Sequence, residues 1–127
     1  EGQKLTDSLE LPVAKPDRRH VYNQFTVRIG EGRRDEVQSS LREQQIGAAI
    51  YYPTPLHLQE CFAGLGYKQG QLPEAERASA EVLSLPIFAE LTEAQQNRVV
   101  EGLATALGAG NPATVAYPFG LPDSKAA

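Results

Sequence analysis

The chain has 127 residues, 41% hydrophobic and 22% charged, which fits one globular domain with a single core. Its 12 basic and 16 acidic residues give a net charge of -4, which argues against the basic stripe of a nucleic-acid binder. No apolar run approaches the roughly 20 residues of a membrane helix, no signal peptide is apparent, and the lone Cys61 permits no internal disulfide and fits a reducing cytoplasm. The sequence opens on Glu1 rather than Met, as either an engineered piece or a fragment of a longer protein would.

Residues 1–19 form a lead-in. Leu5, Leu9 and Leu11 can lie against a core, but Pro12 and Pro16 break any long helix. Residues 20–29 predict a strand, with Val21, Phe25, Val27 and Ile29 mostly alternating. Residues 34–46 predict a helix that buries Val37 and Leu41, places Asp35 and Glu36 in its first turn, and ends at Gly47 in the left-handed conformation. Residues 48–52 predict a short strand stopped by Pro53. Residues 57–65 predict a short helix with Leu58, Cys61, Phe62 and Leu65 on one apolar stripe.

Pro73 suits the first turn of a helix running to about Val82, with Ala75, Ala78 and Val82 inward. An edge-like strand is expected over residues 83–87. Thr92 and Gln95 make a capping box ahead of a helix showing Val99, Val100, Leu103 and Leu107, which Gly108 stops. Residues 108–127 read as a mobile tail. The fold class is therefore α+β, a small antiparallel or mixed sheet of about three strands covered by helices on one face. No glycine-rich phosphate loop and no internal repeat are present.

The residues that can carry chemistry cluster around two stretches. Tyr51, Tyr52 and His57 crowd a strand end broken by Pro53 and Pro55, where binding groups are often mounted. His57 can donate a hydrogen bond to an anionic or hydroxylated ligand. It can equally cap its own helix or pack beside Tyr51, and spacing alone favours that second account. Asn23 and Gln24 are unusual in an apolar strand, since a buried amide needs partners, although an exposed sheet face explains them as well. The two histidines and one cysteine match no zinc spacing. Cys61 is expected in the core, and no lysine has a setting that would make it a Schiff-base former.

The blocks IYYPTPLHLQ, LGYKQGQLPEAER, EVLSLPIF and ELTEAQQNRVVE, in this order between His20 and Leu103, closely resemble the C-terminal portion of the DegT/DnrJ/StrS family. These are pyridoxal-phosphate (PLP) aminotransferases acting on keto-sugar nucleotides. The resemblance implies the small C-terminal domain of a fold type I aminotransferase at residues 20–107, with residues 1–19 leading in from a missing large domain. It implies amino transfer from glutamate to a keto carbon of a nucleotide-linked hexose, in a cytoplasmic homodimer. PLP would be held by the absent large domain and none by this chain, since no lysine here matches the anchoring motif. The resemblance places Tyr51, His57, Asn23 and Gln24 near substrate, with no catalytic or metal-binding residue in this portion. A non-catalytic binding or regulatory module derived from such an enzyme is the second reading, because the anchoring lysine is missing. An unrelated α+β interaction domain is the third, resting on composition alone.

Overall fold

The computed structural model describes residues 4–6 and 8–108. The expected tail over residues 108–127 lies outside them, apart from Gly108. Four strands, β1 (Lys4–Thr6), β2 (Leu9–Glu10), β3 (Phe25–Ile29) and β4 (Val82–Leu85), form one antiparallel sheet in chain order. Among the described residues, three α-helices, α1 (Arg34–Glu43), α2 (Pro73–Glu81) and α3 (Glu93–Leu107), accompany the sheet.

In β3, Phe25, Val27 and Ile29 are buried, while Thr26 and Arg28 between them are half-buried, as alternation along a strand requires. The buried set joins Leu9, Leu83 and Leu85 from the sheet to Val37 and Leu41 of α1 and Val99 and Leu103 of α3. The expected α+β class, with a small antiparallel sheet and helices over one face, is thus the observed one. The strands themselves are partly different. Leu9 and Leu11 of the lead-in are core residues, and Leu9 pairs with Ile29. The strand expected over residues 20–29 begins only at Phe25. The one expected over residues 48–52 shrinks to a single bridge, in which Ala49 and Ser84 exchange both backbone hydrogen bonds at 2.9 Å. That bridge flanks β4 opposite β3, so β4 is inside the sheet at Ser84 rather than at an edge.

The first helix also stops earlier than expected. Gln45, not Gly47, takes the left-handed conformation, at φ 58°. The Gln45 amide donates to Arg42 O (2.9 Å) and the Ile46 amide to Leu41 O (2.8 Å), a Schellman closure. Its consequence is that Ile46 folds back into the core beside Leu41. Arg34, at the other end of α1, is 9% exposed, and its Nη1 donates to Ser79 O (3.0 Å) and Val82 O (3.2 Å). This buried guanidinium fastens α1 to the α2–β4 junction.

The α3 capping box is present, with Gln95 N–H donating to Thr92 Oγ1 (3.3 Å) and Thr92 N–H to Gln95 Oε1 (2.9 Å). Gly108 ends α3 in the left-handed conformation at φ 71°. Arg33 donates to the carbonyls of Ala106 (3.1 Å) and Leu107 (3.4 Å), placing positive charge at the negative end of the α3 dipole.

Residues 57–65 correct the expected apolar helix. They form part of two 3-10 turns, Leu56–Leu58 and Glu60–Leu65. Cys61, Phe62 and Leu65 are exposed, and the buried residue is His57. In α2 likewise Ala75 is exposed and Ser79 is the buried residue.

Candidate functional site

A cleft of about 450 Å³ opens where the stretch before β3, the stretch after α1 and the end of β4 meet. Asn23, Gln24, Tyr51, Ser84 and Phe88 contribute the polar and aromatic parts of its wall. No charged residue among those described lines it.

Asn23 and Gln24 reach the cleft because of the residue before them. Tyr22 has φ 49°, a left-handed backbone rare for a bulky side chain and costing about 1–2 kcal/mol. Local contacts hold it there: its amide donates to His20 Nδ1 (3.0 Å) and its ring lies 4.0 Å from the His20 ring and 6.1 Å from that of Phe25. The chain turns at Tyr22 before entering β3, so Asn23 and Gln24 precede the ladder instead of alternating within it. Both are exposed. Strained backbone held by its neighbours is commonest at binding and catalytic sites.

Tyr51 follows the Ala49–Ser84 bridge and is 57% exposed. The bridge fixes where it leaves the sheet. Ser84, on the other side of the bridge, is buried, and its hydroxyl lies 2.8 Å from that of Thr26 on β3.

His57 is elsewhere. It is 8% exposed, its Nε2 sits 3.0 Å from Glu76 Oε1, and the Tyr67 ring meets it edge-on at 6.2 Å. Glu76 also accepts the Gly70 amide on both oxygens (2.8 and 2.9 Å) and, more weakly, the Leu72 amide (3.4 Å). The Gly70 amide, with smaller help from His57 and the Leu72 amide, holds the Glu76 carboxyl below its ordinary pKa against the opposing effect of burial. One turn along α2, the Ser79 hydroxyl lies 3.0 and 2.9 Å from the carbonyl oxygens of Tyr52 and Pro53. The segment between Tyr52 and Leu72 is therefore shaped by hydrogen bonds to α2 and not by a core of its own.

Of the four residues singled out from the sequence, the structure brings Asn23, Gln24 and Tyr51 to one cleft. It does not bring His57 there. Glu76, Ser79, Ser84 and Phe88 were not singled out. The signal for Glu76, Ser84 and Phe88 was their place in the blocks LPEAER and EVLSLPIF, where they read as helix surface and strand; Ser79 lies between the two blocks.

The described residues do not fit the anchoring of PLP. Lys15 and Lys68 are exposed and neither borders the cleft, and its wall offers amides and hydroxyls but no amine to bind an aldehyde. The side chain of Lys4, and Lys125, lie outside the described residues. No group of three or more His, Cys, Asp or Glu suited to a metal ion occurs among the described residues, and no described helix is long and apolar enough to cross a membrane.

The model of the DegT/DnrJ/EryC1/StrS aminotransferase family matches residues 3–104. A pleiotropic regulatory protein of Geobacillus stearothermophilus is 54% identical over 102 residues, covering 80% of this chain and 27% of that protein. A dTDP-3-amino-3,4,6-trideoxy-alpha-D-glucose transaminase of Streptomyces venezuelae is 42% identical over 93 residues, covering 73% of this chain and 24% of that protein. The crystal structure of S. venezuelae DesV, in complex with ketimine intermediate, superposes with a TM-score of 0.73 at 38% identity over 82% of this chain and 27% of its own. The chain thus spans about a quarter of the length of these relatives.

Proposed function

Because the chain belongs to the DegT/DnrJ/EryC1/StrS aminotransferase family, we propose that it is the small C-terminal domain of a PLP-dependent enzyme that transfers an amino group from glutamate to a keto-sugar nucleotide. The stretch before residue 20 leads in from the large domain and also supplies β1 and β2 to the sheet that residues 20–107 complete. The complete protein is a cytoplasmic homodimer. PLP supplies the electron sink for amino transfer and belongs to the large domain, since the described residues offer it no anchor.

The observation that carries this reading is the convergence of Asn23, Gln24 and Tyr51, from separate segments, on one cleft without charged residues. Two amides and a phenol both donate and accept hydrogen bonds, which suits the hydroxyl and carbonyl groups of a hexose. Phe88, 50% exposed at the same cleft, offers an aromatic face. The role of this chain is to bind and orient the acceptor sugar. His57 acts at one remove: pinned by Glu76, it sets the course of the loop that begins at Tyr51.

The test is an assay of the full-length protein with PLP, glutamate and a panel of UDP- and dTDP-linked keto sugars. Formation of an amino sugar with release of 2-oxoglutarate is expected. A protein that loads PLP yet converts none of the panel contradicts the reading. A non-catalytic regulatory module is the second reading, favoured by the name of the 54% identical relative. A full-length protein that lacks a PLP-binding lysine would support it instead.

A further inference from the structure

The cleft at Asn23 and Tyr51 has a neighbour of about 330 Å³ that includes Gln38, Ser39 and Arg42 of α1 in its wall. Gly47 and Ala48 belong to both walls, so the two clefts are adjacent across a two-residue divide. The divide is fixed in place. Gln38 Nε2 donates to Ala48 O (3.2 Å), Ala49 is bridged to Ser84, and the Schellman closure holds Ile46 just before it.

The two walls differ in charge. Among the described residues the first carries none, and the second carries one charge, the guanidinium of Arg42, with no carboxylate beside it in the lining. Arg42 also differs from most of the other described arginines. Arg28 pairs with Glu81, Arg33 with Glu36, Arg34 with Asp35 and Arg77 with Glu74, and Arg98 donates to the Gln44 carbonyl (3.1 Å). The Arg42 side chain is exposed and has no hydrogen-bond or ion-pair partner among the described residues. A free guanidinium presents a planar fork of donors suited to a phosphate.

We propose that the two clefts form one bipartite site, in which Arg42 binds a phosphate of the same ligand whose uncharged ring lies against Asn23, Gln24 and Tyr51. The ligand class is a nucleoside diphosphate bearing a sugar. The assignment rests on the reading given under Proposed function and adds to it a charged anchor on α1. Because Arg42 is in the last turn of α1, its charge also complements the helix dipole. That role alone would affect stability and not ligand binding.

The experiment is calorimetric titration of the full-length protein with the diphosphates UDP-glucose and dTDP-glucose, which carry both the phosphates and a sugar ring, and with the matching nucleosides, at low and moderate salt. Arg42→Gln, which keeps helix propensity, is expected to weaken the diphosphate about tenfold, to leave the nucleoside within about twofold, and to flatten the salt dependence of diphosphate binding. Arg42→Lys should recover part of the loss. Unchanged diphosphate affinity in Arg42→Gln, with weakened binding in Asn23→Ala, overturns the anchor and leaves the cleft reading standing. Binding that ignores both Asn23→Ala and Tyr51→Phe overturns the bipartite site together with the cleft reading. The salt dependence of the unmodified protein is a second measurement free of any folding effect: diphosphate binding no more salt-sensitive than nucleoside binding counts against the anchor.

Discussion

His57 Nε2 and Glu76 Oε1 meet at 3.0 Å across 19 positions of chain, and the same carboxylate closes on the Gly70 amide at 2.8 Å. One side chain of α2 thus ties together the first part and the end of a segment with little core of its own. Glu76→Gln keeps the volume but leaves a single acceptor oxygen for these donors. Faster hydrogen exchange is expected at the Gly70 and Leu72 amides, with β3 amides unaffected. Unaltered protection at Gly70 would show that the segment is held by something else.

The same carboxylate makes stability depend on pH with a defined sign. Glu76 is held below its ordinary value of 4.5, chiefly by the Gly70 amide. A lowered folded-state pKa means that the unfolded chain binds the proton more readily. The stability this group contributes is therefore full above about pH 4.5 and is lost as pH falls through the lowered value. Denaturant midpoints measured from pH 6 downward should fall less steeply for Glu76→Gln than for the unmodified chain. Parallel curves would refute the linkage.

At Gly102, α3 packs against the end of α1. A methyl group there would overlap Ile46 Cδ1 and come within 3.0 Å of Gln44 Oε1. Alanine gains helix propensity of about 1 kcal/mol, but overpacking a filled core costs about 1–3 kcal/mol. Gly102→Ala is therefore expected to lower stability by about 1 kcal/mol, and Ile46→Val in the same chain to recover part of it. A more stable Gly102→Ala in urea titration would mean that Ile46 moves aside freely.

Gln45 offers the opposite case. It holds φ 58° with a side chain, where glycine would be free of strain. Gln45→Gly should raise stability by up to about 1 kcal/mol. Loss of stability on thermal unfolding would show that the Gln45 side chain matters more than its backbone.

What the sequence revealed follows from how local each signal is. Thr92 with Gln95, and Gly108, carry their helix ends within a few residues, and both are found in place. Val27 and Ile29 alternate over enough positions to declare a buried face. By contrast Leu9–Glu10 is too short to show a period, and its pairing with β3 is a tertiary fact. The stripe of Leu58, Cys61, Phe62 and Leu65 misled because periodicity implies a cover that this stretch does not receive from the described residues. At the site, Asn23, Gln24 and Tyr51 were legible as residue types out of keeping with their neighbours. The turn that directs them was not, since nothing local marks Tyr22 for φ 49°. The partner of His57 lies 19 residues away and could not be read from spacing.

The central claim, that the Asn23–Tyr51 cleft receives the acceptor sugar, is tested most directly by timing the two half-reactions of the full-length protein separately by cofactor absorbance. Asn23→Ala and Tyr51→Phe should each slow the sugar half-reaction or raise its KM about 10- to 100-fold, the loss of about 1–3 kcal/mol that one hydrogen bond to substrate brings. The glutamate half-reaction should stay within about twofold, because no sugar is bound then. Equal losses in both halves, or no loss in either, would contradict the account.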